Sequence, residues 1–101
     1  MRIVWSPLAL ERLTEIAAYI AQDDAKAAEN WVEKVFSTVD GLRRYPEIGR
    51  VVPELGLNEF REIIFGNYRI IYRREAEIVS VLTVRHSKQI LPIDEITSDI
   101  L

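Results

Sequence analysis

Apolar positions in the first half of the chain recur at helical spacing. Leu10, Leu13, Ala17 and Ile20 follow one another at three- and four-residue steps, with Glu11, Arg12 and Glu15 mostly on the outer side. This pattern predicts an amphipathic helix to about Ala21, with Ser6 as N-cap and Pro7 at the first helical position. Gln22-Asp23-Asp24 breaks the pattern and offers Asp24 as the next cap. A second stripe of Ala28, Trp31, Val32, Val35, Val39 and Leu42 then runs to about Arg43, where Tyr45-Pro46 forces a stop. Two amphipathic helices joined so closely pack as an antiparallel hairpin.

Elsewhere the periodicity is that of strands. Arg2 to Trp5 reads as a first strand, and Phe60–Phe65, Tyr68–Arg74 and Ile78–Val84 are apolar runs separated by turns of about two residues. Gly66-Asn67 is a strong two-residue hairpin signal, and the second turn falls near Glu75-Ala76. Between the two halves, Arg44 to Asn58 carries Pro46, Gly49, Pro53 and Gly56, the composition of an ordered irregular loop. The tail from Pro92 to Leu101 reads as either a frayed end or a short helix. These elements predict one α+β domain over 1–101. It comprises an N-terminal strand and an antiparallel helical hairpin packed on one face of a three- to four-stranded, mainly antiparallel sheet.

The turn positions also predict register. With Gly66-Asn67 as the turn, Phe65 pairs with Tyr68, Ile63 with Ile70 and Arg61 with Tyr72, an apolar set that forms the floor under the helices. Val79 and Val81 join it if Arg74 pairs with Glu77. That register leaves Glu62, Arg69, Ile71 and Arg73 on an uncovered second face with Ser80, Leu82, Val84 and His86. A one-residue slip at the second turn exchanges His86 for Arg85 there.

Composition narrows the chemistry. The chain has 101 residues, 49% of them hydrophobic, which suffices for one small core without metal or disulfide support. It has no cysteine, which fits a reducing compartment, and its apolar runs are too short for a signal peptide or a membrane span, so a cytoplasmic location is expected. The net charge is −3, and the only segment with a basic excess is 50–90, with seven basic against five acidic side chains. A protein held to nucleic acid mainly through phosphates is usually basic overall, so a general RNA or DNA binder is disfavoured while a local cationic patch on the sheet is not.

Few residues carry candidate chemistry. His86 is the one histidine and the one side chain suited to acid–base work near neutrality; it has either a structural or binding role, or a role in proton transfer. Arg69 and Arg73 are forks for phosphate or carboxylate, or are paired with Glu62 or Glu75. Arg61 is placed to lie under the loop and satisfy its carbonyls. The four glycines are too dispersed for a phosphate loop, and a single histidine without cysteine leaves no zinc site, so neither cofactor nor metal is expected. Asp23-Asp24 reads as a helix cap, Trp31 as core, and Trp5 as core or part of a partner groove.

The order and spacing of several strings resemble the ParE/RelE superfamily of bacterial type II toxin-antitoxin toxins. They are Ile3-Val4-Trp5-Ser6-Pro7-Leu8-Ala9, Ile16 to Ile20, Tyr45-Pro46-Glu47-Ile48-Gly49-Arg50, Arg61-Glu62, Tyr68-Arg69-Ile70-Ile71-Tyr72 and Val84-Arg85-His86. The resemblance implies a cognate antitoxin that wraps the toxin, forming a hetero-oligomer with no membrane partner, with Trp5, Leu13 and Ile20 as antitoxin contacts. It also implies one of two targets. A RelE-like toxin cleaves mRNA in the ribosomal A site, which makes Arg69 and His86 catalytic. A ParE-like toxin inhibits DNA gyrase through a protein-binding surface and is not an enzyme. On either branch Arg50, Arg61, Arg69, Arg73, Arg85, His86 and Lys88 are the candidate target contacts. Ser87 stands where some of the nucleases have a functional tyrosine, and only Glu47 and Glu54 offer a carboxylate base. The acidic balance and the Trp-Ser-Pro start resemble the ParE branch more closely, so gyrase is the first expectation, ribosome-dependent RNA cleavage the second, and an antitoxin-binding member without toxicity the third.

Overall fold

Ser6 opens the helical half of the molecule by accepting the Ala9 N–H at 3.0 Å, and helix α1 follows over Pro7–Ala21. Asp24 does the same for Ala27 at 3.1 Å and starts α2, Ala25–Asp40. The second helix ends as one tighter turn, Gly41–Arg43, where a continuous helix to Arg43 was expected. The computed structural model describes residues 1–89 and 91–97. The inner stripes of the two helices, Ala9 and Leu13 with Val35, Val39 and Leu42, are buried against Ile70, Tyr72, Val79, Val81 and Val84 of the sheet. Each large aliphatic side chain buried this way contributes roughly 1.5–3 kcal/mol, so this interface accounts for most of the drive that holds hairpin to sheet.

The sheet has five strands: β1 (Arg2–Trp5), β2 (Arg50–Val51), β3 (Phe60–Phe65), β4 (Tyr68–Arg74) and β5 (Ile78–His86). Their order is β1-β5-β4-β3-β2, and among the described residues only the β1–β5 pair is parallel. The fifth strand, β2, lies within the stretch expected to be irregular. Its two residues pair with Arg61 and Glu62, a length too short to leave any alternation in the sequence.

The β3–β4 register is the expected one, with Gly66 at φ 58° in the turn and Phe65 opposite Tyr68. The β4–β5 register differs. Arg74 pairs with Val79, not Glu77, a shift of two residues that keeps Val79 and Val81 under the helices. Between Ile71 and Tyr72 the register then shifts once more, so that Tyr72 faces Val81 and Ile71 faces Thr83, with Leu82 as the extra residue of a bulge. Beyond it the faces are exchanged. Val84 enters the helix-side core, His86 pairs with Tyr68, and Arg85 pairs with Arg69. The expected grouping of His86 with Arg69 on one face is thereby overturned. The start of α1 explains why the bulge sits here: the Ser6 N–H donates to the Val81 carbonyl at 3.0 Å and its hydroxyl donates to the Leu82 carbonyl at 3.0 Å. A carbonyl displaced from the β4–β5 ladder is thus satisfied by the helix cap.

The second face, expected to be uncovered, carries its own small core. Val52, Phe60, Ile71, Leu82, Leu91 and Ile96 are buried together, with Leu55 packed beside them. Ile96 comes from a short helix α3, Ile93–Thr97, so the described part of the C-terminal tail is helical; residues 98–101 of that tail lie outside the described residues. Glu95 fastens α3 by taking Arg12 of α1 at 2.8 Å and Arg85 of β5 at 3.3 Å. No helix among the described residues is long and apolar enough to cross a membrane.

Candidate functional site

Four charges form a chain across the second face. Arg69 in the middle of β4 donates to both oxygens of Glu62, at 2.5 and 3.0 Å, and through its other side to both oxygens of Glu54, at 2.7 and 2.8 Å. Glu62 also accepts from Arg50 Nε at 3.1 Å. The Glu62 side chain is fully buried and that of Arg69 is 7% exposed, whereas Glu54 is 35% and Arg50 61% exposed. Four of the five guanidinium N–H directions of Arg69 are therefore used internally, in two bidentate pairs. Of the expected target contacts, Arg69 is the one most deeply enclosed by internal ion pairs.

The hydrogen bonds from Arg69 hold the Glu54 carboxyl below its ordinary value of 4.5, against the opposing effect of burial. A carboxyl depressed in the folded state adds stability above its unfolded pKa, and that stability is lost as pH falls through the folded value. Thermal stability should therefore fall as pH drops below about 4.5, and Glu54→Gln should remove part of that dependence while leaving the neutral-pH melting temperature within a few degrees. Parallel curves for the two proteins between pH 2 and 6 would refute this.

The neighbouring arginines are also engaged. Arg61 donates to the carbonyls of Asn58, Glu47 and Gly49 at 3.1, 3.2 and 2.9 Å, the loop-supporting position expected for it. Arg73 pairs with Glu75 at 3.2 Å and lies 5.5 Å above the Phe60 ring. Beneath the same loop, the buried Tyr72 hydroxyl donates to the Pro46 carbonyl at 2.7 Å and accepts the Gly49 N–H at 3.1 Å, and burial raises its pKa. Arg50 and Lys88 keep exposed side chains.

His86 lies on the other side of the molecule. It lines a cleft of about 570 Å³ between α1 and the end of β4–β5, with Arg12, Ile16, Tyr19, Tyr68 and Arg85 among its walls. Its Nδ1 accepts the Lys88 N–H at 3.1 Å, so in the neutral ring the proton is on Nε2. Tyr68 meets it edge-on at 5.4 Å and Trp31 at 5.2 Å, and burial raises the Tyr68 pKa. Tyr68 and Arg12 were not singled out from sequence. Only the bulge in β5 brings Tyr68 opposite His86, and Arg12 reads as an ordinary outward-facing helix residue.

Among the residues expected to face an antitoxin, Leu13 is 5% exposed inside the helix–sheet core. It lies on the same inner stripe as Ala9, through which α1 packs against the sheet. Trp5 is half-buried against Phe36 at 4.8 Å, and Ile20 is half-buried near the end of α1. The apolar side chains that α1 and α2 leave exposed are Leu10, Tyr19 and Phe36.

The same architecture and sequence recur in known proteins. The family model described as the ParE toxin of the type II toxin-antitoxin system parDE matches residues 3–91. A relative from Sinorhizobium fredii, named as a candidate toxin, Y4kP, is 40% identical over 93 residues, covering 90% of this chain and 93% of its own length. Toxin RelE2 of Caulobacter vibrioides is 31% identical over 90 residues, covering 88% of this chain and 98% of its own. Among solved structures, a chain of the chromosomal ParDE system from P. aeruginosa superposes with a TM-score of 0.72 at 16% identity, over 87% of this chain and 97% of the other. The YoeB dimer from Staphylococcus aureus gives 0.56 at 16% identity, over 85% and 95%. Helical hairpin, parallel β1–β5 pair and antiparallel sheet thus coincide with a family match across nearly the whole sequence. The chain belongs to the ParE toxin family, within the ParE/RelE superfamily of type II toxin-antitoxin toxins, whose members have an antitoxin as partner.

Proposed function

We propose that this toxin inhibits DNA gyrase through a protein-binding surface, without cleaving RNA, and that a cognate antitoxin neutralises it. The observation that carries the reading is the separation of the nuclease candidates: Arg69 is closed between Glu54 and Glu62 on one side of the sheet, while His86 pairs with Tyr68 on the other. Proton transfer at a 2′-hydroxyl and charge stabilisation at the adjacent phosphate require groups within a few ångströms of one another, which this arrangement does not favour. The net charge of −3 supports the same choice, because entry into a phosphate-lined ribosomal site favours basic proteins. Exposed Arg50 and Lys88, with the partly exposed Arg85, are the target contacts this reading retains. Exposed Phe36, packed against the half-buried Trp5, and exposed Leu10 supply apolar side chains on which an amphipathic antitoxin helix would dock, while Tyr19, on the opposite side of α1 from Leu10, borders the His86 cleft.

Purified toxin added to a gyrase supercoiling reaction should accumulate cleaved DNA, and its induction in cells should raise a DNA damage response before protein synthesis falls. Normal supercoiling at micromolar toxin, together with immediate translation arrest and cut mRNA, would replace gyrase with the ribosome as target.

A further inference from the structure

The two carboxylates on Arg69 are not equivalent. Glu62 belongs to a central strand, is fully buried and accepts from two arginines, so it is a permanent counter-ion. Glu54 comes from the loop between β2 and β3, is 35% exposed, and its side chain bonds to Arg69 alone among the described residues. The loop does not depend on Glu54 for its shape: Val52 is buried in the second core and accepts the N–H groups of Leu55 and Gly56 at 3.1 and 2.9 Å. Rotating one side chain is enough to uncover the outer fork of Arg69.

We propose that this outer fork is a carboxylate seat which Glu54 fills from within, and from which an acidic side chain of a protein partner displaces it. Exchange of one carboxylate for another keeps both bidentate hydrogen bonds of Arg69, so the free-energy difference between the two states is small and further partner contacts decide it. With Glu54 turned away, Arg50 and Arg69 face only Glu62, leaving one net positive charge for one incoming anion. The approach is also prepared. Ile64, opposite Arg69 in the β3–β4 ladder, is 48% exposed, and β2 pairs only with Arg61 and Glu62, which leaves Ile63–Phe65 without a described strand partner on that edge. An extended segment with an apolar residue over Ile64 and a nearby aspartate or glutamate matches both features. A nucleic-acid phosphate fits less well, since it brings further charge toward a chain of net −3 and a seat bordered by the apolar second core. The inference rests on the reading that the toxin acts through protein contacts, and its test needs neither gyrase nor toxicity.

The full-length Glu54→Ala chain, with the seat emptied, should be stabilised by added acetate. At pH 7 and constant ionic strength its melting temperature should rise saturably by several degrees with acetate and not with chloride, while the wild type, whose seat is filled, should not respond. In the same variant, the peptide acetyl-Leu-Asp-Ile-amide should shift the Arg69 Nε–H resonance at a concentration at least tenfold lower than in the wild type, and its asparagine analogue should have no effect. Rescue by inorganic phosphate in preference to acetate would make the site a phosphate site and overturn the proposal. So would equal responses in the two proteins, or no rescue by any anion, which would leave Glu54 as a plain structural ion pair.

Discussion

Arg69→Leu should be among the most damaging single substitutions in this protein, lowering stability by about 3–5 kcal/mol. The reason is what the change leaves behind. Glu62 has no exposed side-chain surface, and without Arg69 its only remaining cation is Arg50, which touches it through Nε at 3.1 Å from a side chain 61% in solvent. A buried carboxylate stripped of its main partner is strongly destabilising, whereas an isosteric apolar replacement of the whole pair is often neutral. Glu62→Leu combined with Arg69→Met should therefore recover at least half of the loss, and Glu54→Gln should cost less than about 1 kcal/mol because Glu54 is partly solvated. For a domain of this size the single variant should melt roughly 20 °C lower. Urea unfolding of the four proteins checks the ranking, and an Arg69→Leu variant as stable as Glu54→Gln would sink it. The ranking also matters for mapping function. Loss of toxicity on mutating Arg69 reports folding unless the melting temperature is measured alongside, and the same holds for Arg50, which pairs with the buried Glu62, while Lys88, with an exposed side chain, can be probed without that ambiguity.

What could be read from sequence was what local chemistry decides. Ser6-Pro7 and Asp24 marked both helix starts because a capping oxygen and a proline act within one turn of themselves. Gly66-Asn67 fixed six β3–β4 pairs because a two-residue turn leaves the register no freedom. The β4–β5 register instead includes a bulge whose Leu82 carbonyl is taken by Ser6, 76 residues away, and no local signal encodes that. His86 changed faces because the register shifts between Ile71 and Tyr72. Glu54 was visible only as one of two loop carboxylates, since a residue in an irregular loop has no periodicity from which to infer where it points. The covering of the second face by Val52, Leu91 and Ile96 was hidden for the same reason: each lies in a stretch whose apolar residues have no regular spacing. Arg61 was legible because it adjoins a loop dense in carbonyls and has donors enough for three of them.

Gly49→Ala should be comparably disruptive, at about 3 kcal/mol, and for a reason unrelated to backbone dihedrals. A methyl group at this position would lie 2.6 Å from the Glu62 carbonyl oxygen, 2.8 Å from the Tyr72 hydroxyl and 2.9 Å from its ring. None of these can retreat cheaply: the first is strand backbone, and Tyr72 is fully buried in the helix-side core. Overpacking of this kind costs about 1–3 kcal/mol, and displacement of the tyrosine also breaks its bonds to the Gly49 N–H and the Pro46 carbonyl, each worth roughly a further 1 kcal/mol. Because Gly49 leads directly into β2 and its own carbonyl is held by Arg61, the damage should spread to the Arg50–Glu62 pairing and so to the outer end of the ion chain. Tyr72→Phe, which keeps the ring and loses only the hydroxyl, should cost about 1–2 kcal/mol. The double variant should fall short of the sum, since removing the hydroxyl relieves one of the clashes. Gly41→Ala is the control, with nothing within 4 Å of the added carbon and a right-handed backbone, and it should be neutral or slightly stabilising. Equilibrium unfolding separates these outcomes: equal stability of the Gly41→Ala and Gly49→Ala proteins would mean that the loop yields to the extra methyl, and that Tyr72 does not pin it to the sheet.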